Sequence, residues 1–416
     1  MDVSVCGRLF DARGYLGDGC VNVSGGVIAS VTKEPRSDEM HRFNEEGLVI
    51  VPGFIDVHVH LRGLELSYKE DEESGTKAAL SSGITLVVDM PNTRPRLSTP
   101  PALRAKLDAL KRASYVDYGV YAGVPDEPDM VSELARQPIA GFKVYPEDMA
   151  ARPQSVSKVL SSGRLVVLHP ELPEAERLGY DENDHRALER GCWMEGAGLA
   201  LLMTLGAPRR LHVTHASCPT TIDLARSLGA TTDVTPHHLI YDANRRGCHF
   251  RVSPPIRDAV TRDLLVKYVI EGLVDAIASD HAPHSSQEKA SWPHCPPGIP
   301  WLGLWPLSLF RLVSSGALSL PEFLRLTSLG PARVLGIDGL YGLIEPGYRA
   351  NITVLNTRAR GRFTGTYSKA SYMHAFMEEV YAAASAVFVG GTLAALEGEP
   401  LLRPPVRNPF EVAEGA

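Results

Sequence analysis

The residues with the chemistry to act together sit at the ends of short apolar runs. Asp56, Val57, His58, Val59, His60, Leu61 and Arg62 close the first of these runs, and the two-residue period of a strand puts His58 and His60 on one face. Two imidazoles so placed can chelate one metal ion, although such a pair alone is also at home as satisfied core or surface side chains. Lys143, His169, His215 and Asp280 close later runs. Four histidines, a carboxylate and a lysine reaching one rim from separate strands are not explained by chance placement. The lysine is the odd member, because an ammonium cannot ligate and repels divalent cations. Carbamylation by carbon dioxide would turn it into an anion with two oxygens, able to bridge two metals. The competing reading is a barrel-interior lysine paired with Asp280 or a glutamate.

The runs that carry these residues are Val51 to Leu61, Ile84 to Asn92, Tyr115 to Val124, Ile139 to Tyr145, Leu165 to Pro170, Leu211 to Ala216, Ala230 to Pro236 and Val274 to His281. Segments of helical period lie between them, including Pro101 to Arg112, Asp184 to Leu205, Thr220 to Leu228 and Ala259 to Glu271. Eight strand-helix units predict an α/β fold, a closed (β/α)8 TIM barrel with its chemistry at the C-terminal ends of the strands. The first fifty residues read instead as short strands (Val3 to Leu9, Cys20 to Val23, Val27 to Val31), and similar strands recur at Ala350 to Leu355 and Ala386 to Leu393. Neither end is long enough to fold alone, so the two are expected to pair into one small β-sandwich domain. The expected division is residues 1–50 and 346–416 for that domain and 51–345 for the barrel.

Taken in order, DVHVHLR, DMPNTRP with Asn92, GFKVY with Lys143, LHPE with His169, HVTHAS with His215, DVTPHHL and SDHAPH with Asp280 resemble the dihydroorotases, from about Val51 to Gly303. The resemblance implies a site with two Zn²⁺. His58, His60, carbamylated Lys143 and Asp280 would hold one ion, and Lys143, His169 and His215 the other. A shared hydroxide is the implied nucleophile, with Asp280 as the catalytic proton carrier. It further implies that Arg62, Asn92 and His284 hold the free carboxylate of the substrate. That agrees with the charge-assisted fork of arginine and the neutral donor of asparagine. Taken singly, Arg62 could pair with Glu65 or Glu70, and Asn92 could organise the turn before Pro95. Pro296, Pro297 and Gly298 resemble the family's ring-contacting loop, or are simply a stiff turn.

The implied activity is the reversible, zinc-dependent cyclisation of N-carbamoyl-L-aspartate to (S)-dihydroorotate in pyrimidine biosynthesis. An allantoinase or hydantoinase shares the barrel and metals but acts on rings without this carboxylate, and Asn92 and His284 argue against both. A catalytically dead barrel scaffolding aspartate transcarbamoylase would be marked by lost ligands, and none is lost. Pro170 beside His169 and Ser253 before the Pro254–Pro255 pair depart from the family pattern and affect detail rather than class. Thr214 stands where some members have a cysteine ligand, so no third zinc is expected. His212 falls on the opposite strand face from His215, and His237 and His238 follow a proline, so packing or hydrogen bonding is expected of them. His41, His185, His249, His294 and His374 carry no spacing signal.

With 416 residues, 44% hydrophobic and 22% charged, the chain can bury a large core. A net charge of −7 without dense Lys or Arg blocks gives no footprint for nucleic acid. No secretory leader or bilayer-length apolar run is visible, which predicts a cytoplasmic enzyme with a small-molecule substrate and no membrane partner. A homo-oligomer and association with aspartate transcarbamoylase are both left open. Cys6, Cys20, Cys192, Cys218, Cys248 and Cys295 are scattered without a C-x-x-C pair, which predicts reduced thiols.

Overall fold

A computed structural model describes residues 2–178, 186–362, 367–376 and 379–411; Asp184 and His185 lie outside the described residues. Eight parallel strands follow one another in sheet order: Phe54–Val59, Ile84–Asp89, Asp117–Gly123, Gly141–Val144, Val166–Leu168, Leu211–Val213, Thr231–Val234 and Ala276–Ile277. The seam between the last strand and the first is joined by a parallel bridge between Val59 and His281, where the His60 amide donates to the His281 carbonyl at 2.8 Å. The expected α/β barrel is therefore the observed one.

Phe54, Val87, Val120, Phe142 and Val166 pack outward against helix residues such as Leu80, Leu103 and Leu110. Ile55, Val57, Leu86, Val88, Tyr121 and Val167 form a second buried cluster from the alternate positions. Because both strand faces are covered, the strands read as continuous apolar runs rather than alternating ones. Helix starts obey local chemistry. Asp71 caps Glu72–Ser81 in a reciprocal capping box with Ser74, and Asp258 accepts from the Thr261 amide to open Ala259–Ile270. The helix expected to run to Leu205 is instead two pieces, Arg186–Glu189 and Cys192–Leu205, separated at Gly191.

The run expected from Val51 to Leu61 also divides. Leu48–Pro52 belongs to a different sheet, and the barrel begins only at Phe54. Gly53 is the joint: a Cβ there would lie 2.2 Å from Thr85 Oγ1, so only glycine lets the chain cross from one sheet to the other. That other sheet has nine strands drawn from both ends of the chain. Leu48–Pro52 pairs antiparallel with Ile352–Asn356, and the run expected from Ala386 to Leu393 is a hairpin, Ala383–Val389 and Thr392–Leu396, turned at Gly390 and Gly391.

The expectation of reduced thiols is overturned. Cys6–Cys20, Cys192–Cys218 and Cys248–Cys295 are disulfides. Their spacing hides them because tertiary structure sets the pairs. Cys6 and Cys20, for example, are directly opposed in the antiparallel register of Val3–Asp11 and Gly14–Ser24. Paired cysteines occur in oxidising compartments and also inside hyperthermophiles, so they do not by themselves place the chain. Among the described residues no helix is long and apolar enough to cross a membrane.

A buried carboxylate ties the end sheet to the barrel. Asp117, at the start of the third barrel strand, accepts from Arg349 Nε at 2.9 Å and Nη2 at 3.1 Å, from Asn351 at 2.9 Å and from the Arg407 amide at 2.8 Å. Removing one partner of such a pair strands the other charge in low dielectric. Asp117→Ala is expected to cost about 3–5 kcal/mol, read as a lowered midpoint in denaturant melts; an unchanged midpoint would show that the joint carries no stability.

Candidate metal and carboxylate site

At the barrel seam, His58 and His60 turn their Nε2 atoms toward the same atom, Asp280 Oδ1, at 3.2 and 3.1 Å. All three residues are buried, and their ligand atoms lie within 4.8 Å of one another. The protons on the histidines can be placed from the groups behind them. Thr214 Oγ1 donates to Asp233 Oδ2 at 2.9 Å, so it accepts from His58 Nδ1 at 2.6 Å. Asn92 Oδ1 accepts from His60 Nδ1 at 2.7 Å. Both Nε2 atoms therefore present lone pairs to an anionic oxygen. Three acceptors facing one another without a proton repel, and a cation between them resolves the conflict.

His169 and His215 stand alongside, with ring centroids 4.5 Å apart and His215 5.2 Å from His58. His169 gives its Nε2 proton to Glu171 at 2.9 Å, which leaves the Nδ1 lone pair available. Arg190 in turn holds Glu171, through Nε at 2.9 Å and a second contact from Nη2. His215 Nδ1 is buried with no hydrogen-bond partner among the described residues. Burial, followed by the neighbouring cations, holds His58 and His215 well below the usual imidazole range, so both rings are neutral, the form that ligates.

Lys143 is fully buried and its Nζ has no hydrogen-bond partner among the described residues. It is not paired with Asp280 or a glutamate. Burial lowers its pKa to about 7, and its charge is felt at both His58 and His215. An amine at that value is substantially neutral near neutral pH and so is nucleophilic.

All the predicted residues except Lys143 and His284 line one cavity of about 590 Å³. Lys143 lies just behind this lining, its Nζ 5.3 Å from the ring of Tyr145, and His284 stands beside Arg62. The Arg62 guanidinium is buried, with Nε 3.4 Å from the Pro283 carbonyl and Nη2 3.3 Å from His284 Nε2. It pairs with neither Glu65 nor Glu70; Glu70 instead faces His281 and binds Ser368. Pro297 and Gly298 lie on the wall, fixed by His284 Nε2 donating to the Pro297 carbonyl at 3.0 Å and by the Gly298 amide bonding Arg251 O at 2.7 Å.

Sequence reasoning missed the groups that orient these side chains: Asp233, Glu171 with Arg190, and the buried Lys106 that bridges Glu72 and Asp89. Glu171 follows His169 by one strand period, which was a usable signal; Lys106 sits mid-helix and gave none. Arg96 and Tyr145 also line the cavity, with Arg96 held by Asp148 at 3.0 Å. His212 bonds Asp233 and Thr231, His237 accepts from Trp301, and His238 bonds Thr235 and Pro254.

The chain matches the amidohydrolase family over residues 49–163 and 185–393. It is 42% identical over 399 residues to the dihydroorotase of Aeropyrum pernix, covering 92% of each chain. It is 39% identical over 363 residues to that of Sulfolobus acidocaldarius, covering 86% of each. Its fold is that of the crystal structure of dihydropyrimidinase from Brevibacillus agri, with a TM-score of 0.86 at 20% identity over 98% of each chain.

Thr214→Val keeps the shape of the side chain but removes the acceptor for His58. Metal affinity, measured by chelator competition, is expected to fall about tenfold or more with little change in melting temperature. Unchanged affinity would mean that Thr214 does not orient the ligand.

Proposed function

The chain belongs to the amidohydrolase family, and on that premise we propose that its site interconverts N-carbamoyl-L-aspartate and dihydroorotate, with His58, His60, His169, His215, Asp280 and a carbamylated Lys143 as the residues that would hold two Zn²⁺ ions. The activity is that of dihydroorotase, hydrolysis and closure of a cyclic amide. One observation carries the metal reading: His58 Nε2 and His60 Nε2 converge on Asp280 Oδ1 at 3.2 and 3.1 Å, while an acceptor stands behind each ring at Nδ1. Lys143 supports the second ion. As an unpaired, buried amine it can add carbon dioxide, forming an N–C bond and releasing one proton, and the resulting carbamate would supply the anionic oxygens that a second ion needs.

Divalent ions held there would lower the pKa of a shared water and polarise the ring carbonyl. The side chains do the rest. Asp280 takes the proton of the attacking water and gives it to the ring nitrogen as the C–N bond breaks; closure uses the same carboxylate in reverse. Arg62, Asn92 and His284 hold the substrate's free carboxylate and so fix the ring over the rim. Asn92 serves twice, because its carbonyl oxygen orients His60 while its amide remains free to donate. Pro297 and Gly298 form the wall beside the ring. Rings that lack a carboxylate would leave the buried Arg62 guanidinium unpaired, which disfavours the hydantoinase and allantoinase readings.

Lys143→Ala is expected to lose bound metal and turnover together. In the parent protein, metal uptake after stripping should increase with added bicarbonate and should rise as pH passes upward through about 7, because the amine is neutral above its lowered pKa. Full metal content in Lys143→Ala would remove the lysine from the site.

Each charged contact to the carboxylate is worth roughly 1.5–3 kcal/mol. Dihydroorotate should therefore exceed dihydrouracil and allantoin in kcat/KM by about two orders of magnitude or more. Arg62→Ala should narrow that gap by weakening dihydroorotate turnover while retaining metal. Equal efficiency on the three rings in the parent enzyme would assign it to another branch of the family.

A further inference from the structure

Lys69 stands behind the carboxylate clamp and has no part in the chemistry above. Its side chain is 13% exposed, and its Nζ lies 2.7 Å from Glu288 Oε1 and 3.2 Å from His284 Nδ1. Glu288 Oε2 stands farther from the same nitrogen, at 3.6 Å and beyond hydrogen-bond reach, whereas the nearer amine has protons to give, so His284 Nδ1 presents its lone pair. A neutral ring then carries its proton on Nε2. Burial, together with Arg62, Lys69 and Lys289, holds His284 far below the usual imidazole range, so the ring is neutral. Its Nε2–H donates to the Pro297 carbonyl at 3.0 Å. The 3.3 Å approach of Arg62 Nη2 to the same nitrogen is then donor against donor.

We propose that Lys69 is a positioning residue for substrate: it locks His284 in the Nε2–H tautomer, so that the ring proton, which rests on the Pro297 carbonyl, can be turned or shared toward the carboxylate that Arg62 holds rather than being absent from that nitrogen. The inference rests on the carboxylate clamp assigned above. Without Lys69 the proton can move to Nδ1. Nε2 would then accept from Arg62, the two members of the clamp would bond to each other, and an incoming carboxylate would have to break that bond. Glu288 completes the device by holding Lys69, while its own position is fixed by a capping box with Ser285.

The test is ¹⁵N-histidine NMR of the whole protein, with the His284 signals assigned by their loss in His284→Gln, alongside steady-state kinetics. The parent should show His284 protonated at Nε2. Lys69→Met should shift the proton toward Nδ1 and raise KM for dihydroorotate about tenfold, with kcat within about twofold and KM for dihydrouracil unchanged. Lys69→Gln, whose amide can still donate to Nδ1, should restore the parent tautomer and KM. A parent ring protonated at Nδ1, or parent tautomer and KM in Lys69→Met, overturns the proposal. Should Lys69→Met fail to fold, the parent spectrum and Lys69→Gln decide, and a tenfold higher KM in Lys69→Gln overturns it. A parent enzyme that fails to prefer dihydroorotate over dihydrouracil would sink the clamp itself, while the NMR result would still report on the tautomer.

Discussion

Closure of the barrel between its first and last strands is the constraint on which the site depends. The His60 amide bonds the His281 carbonyl, and this seam brings His58 and His60 against Asp280, some 220 residues away in sequence. Only the closed seam brings all three of their ligand atoms within 4.8 Å of one another. If the barrel opened at the seam, two neutral imidazoles and a carboxylate would return to water, and the mutual repulsion that favours a cation would vanish. The end sheet reaches the seam indirectly: Gly53 feeds the first barrel strand out of Leu48–Pro52, and Ser368 from the C-terminal region holds Glu70, which faces His281.

The fold was legible because strands buried on both faces appear as apolar runs, and all eight runs correspond to barrel strands. The residues proposed as ligands could be picked out because each stands at the end of such a run. What could not be read were boundaries and pairings set by tertiary contact. The division at Gly53 depends on the closeness of Thr85, and the separation at Gly191 on packing around the helix it precedes. The disulfides depend on strand register and loop paths that leave no local spacing. Lys106 and Lys69 were invisible for a similar reason: each looks like an ordinary surface lysine until the loop that it supports is in place.

A common rule links the groups that stand behind the proposed ligands. Each proposed ligand histidine with a resolved partner uses one nitrogen on a neighbour and keeps the other for the rim: His58 on Thr214, His60 on Asn92, His169 on Glu171. Such outer contacts fix tautomer and ring orientation and raise ligand basicity. They also let the rings remain neutral when buried, which avoids the desolvation cost of imidazolium. The same logic extends to His284, whose Nδ1 is engaged by Lys69 and whose Nε2 is thereby a donor rather than a ligand. One residue type serves two chemistries according to which nitrogen its neighbour claims.

The backbone shows where this arrangement is strained. Among the described residues, five non-glycine residues have positive φ, and three belong to the site: Arg62 at 56°, His215 at 41° and Asp280 at 46°. A non-glycine residue held in a sparsely populated region costs of order 1–3 kcal/mol. Glycine would relieve that cost at each position but would delete the guanidinium, the imidazole or the carboxylate. Buried aspartates from the strands below secure the chain beside each one. Asp89 accepts the Leu61 amide at 2.8 Å, while Lys106, paired with Asp89, caps the Arg62 carbonyl at 3.1 Å. Asp233 accepts the His215 amide at 2.6 Å. Asp56 accepts the Ser279 amide at 3.1 Å, and Ser279 in turn receives the His281 amide at 3.0 Å, bracketing Asp280. Burial raises Asp56 to about 7 despite those bonds, a sign of how much desolvation the barrel tolerates to hold the seam in place. The strain is thus offset locally by hydrogen bonds to buried carboxylates, which is why the three side chains that must point into the cavity can leave the strand path at those residues.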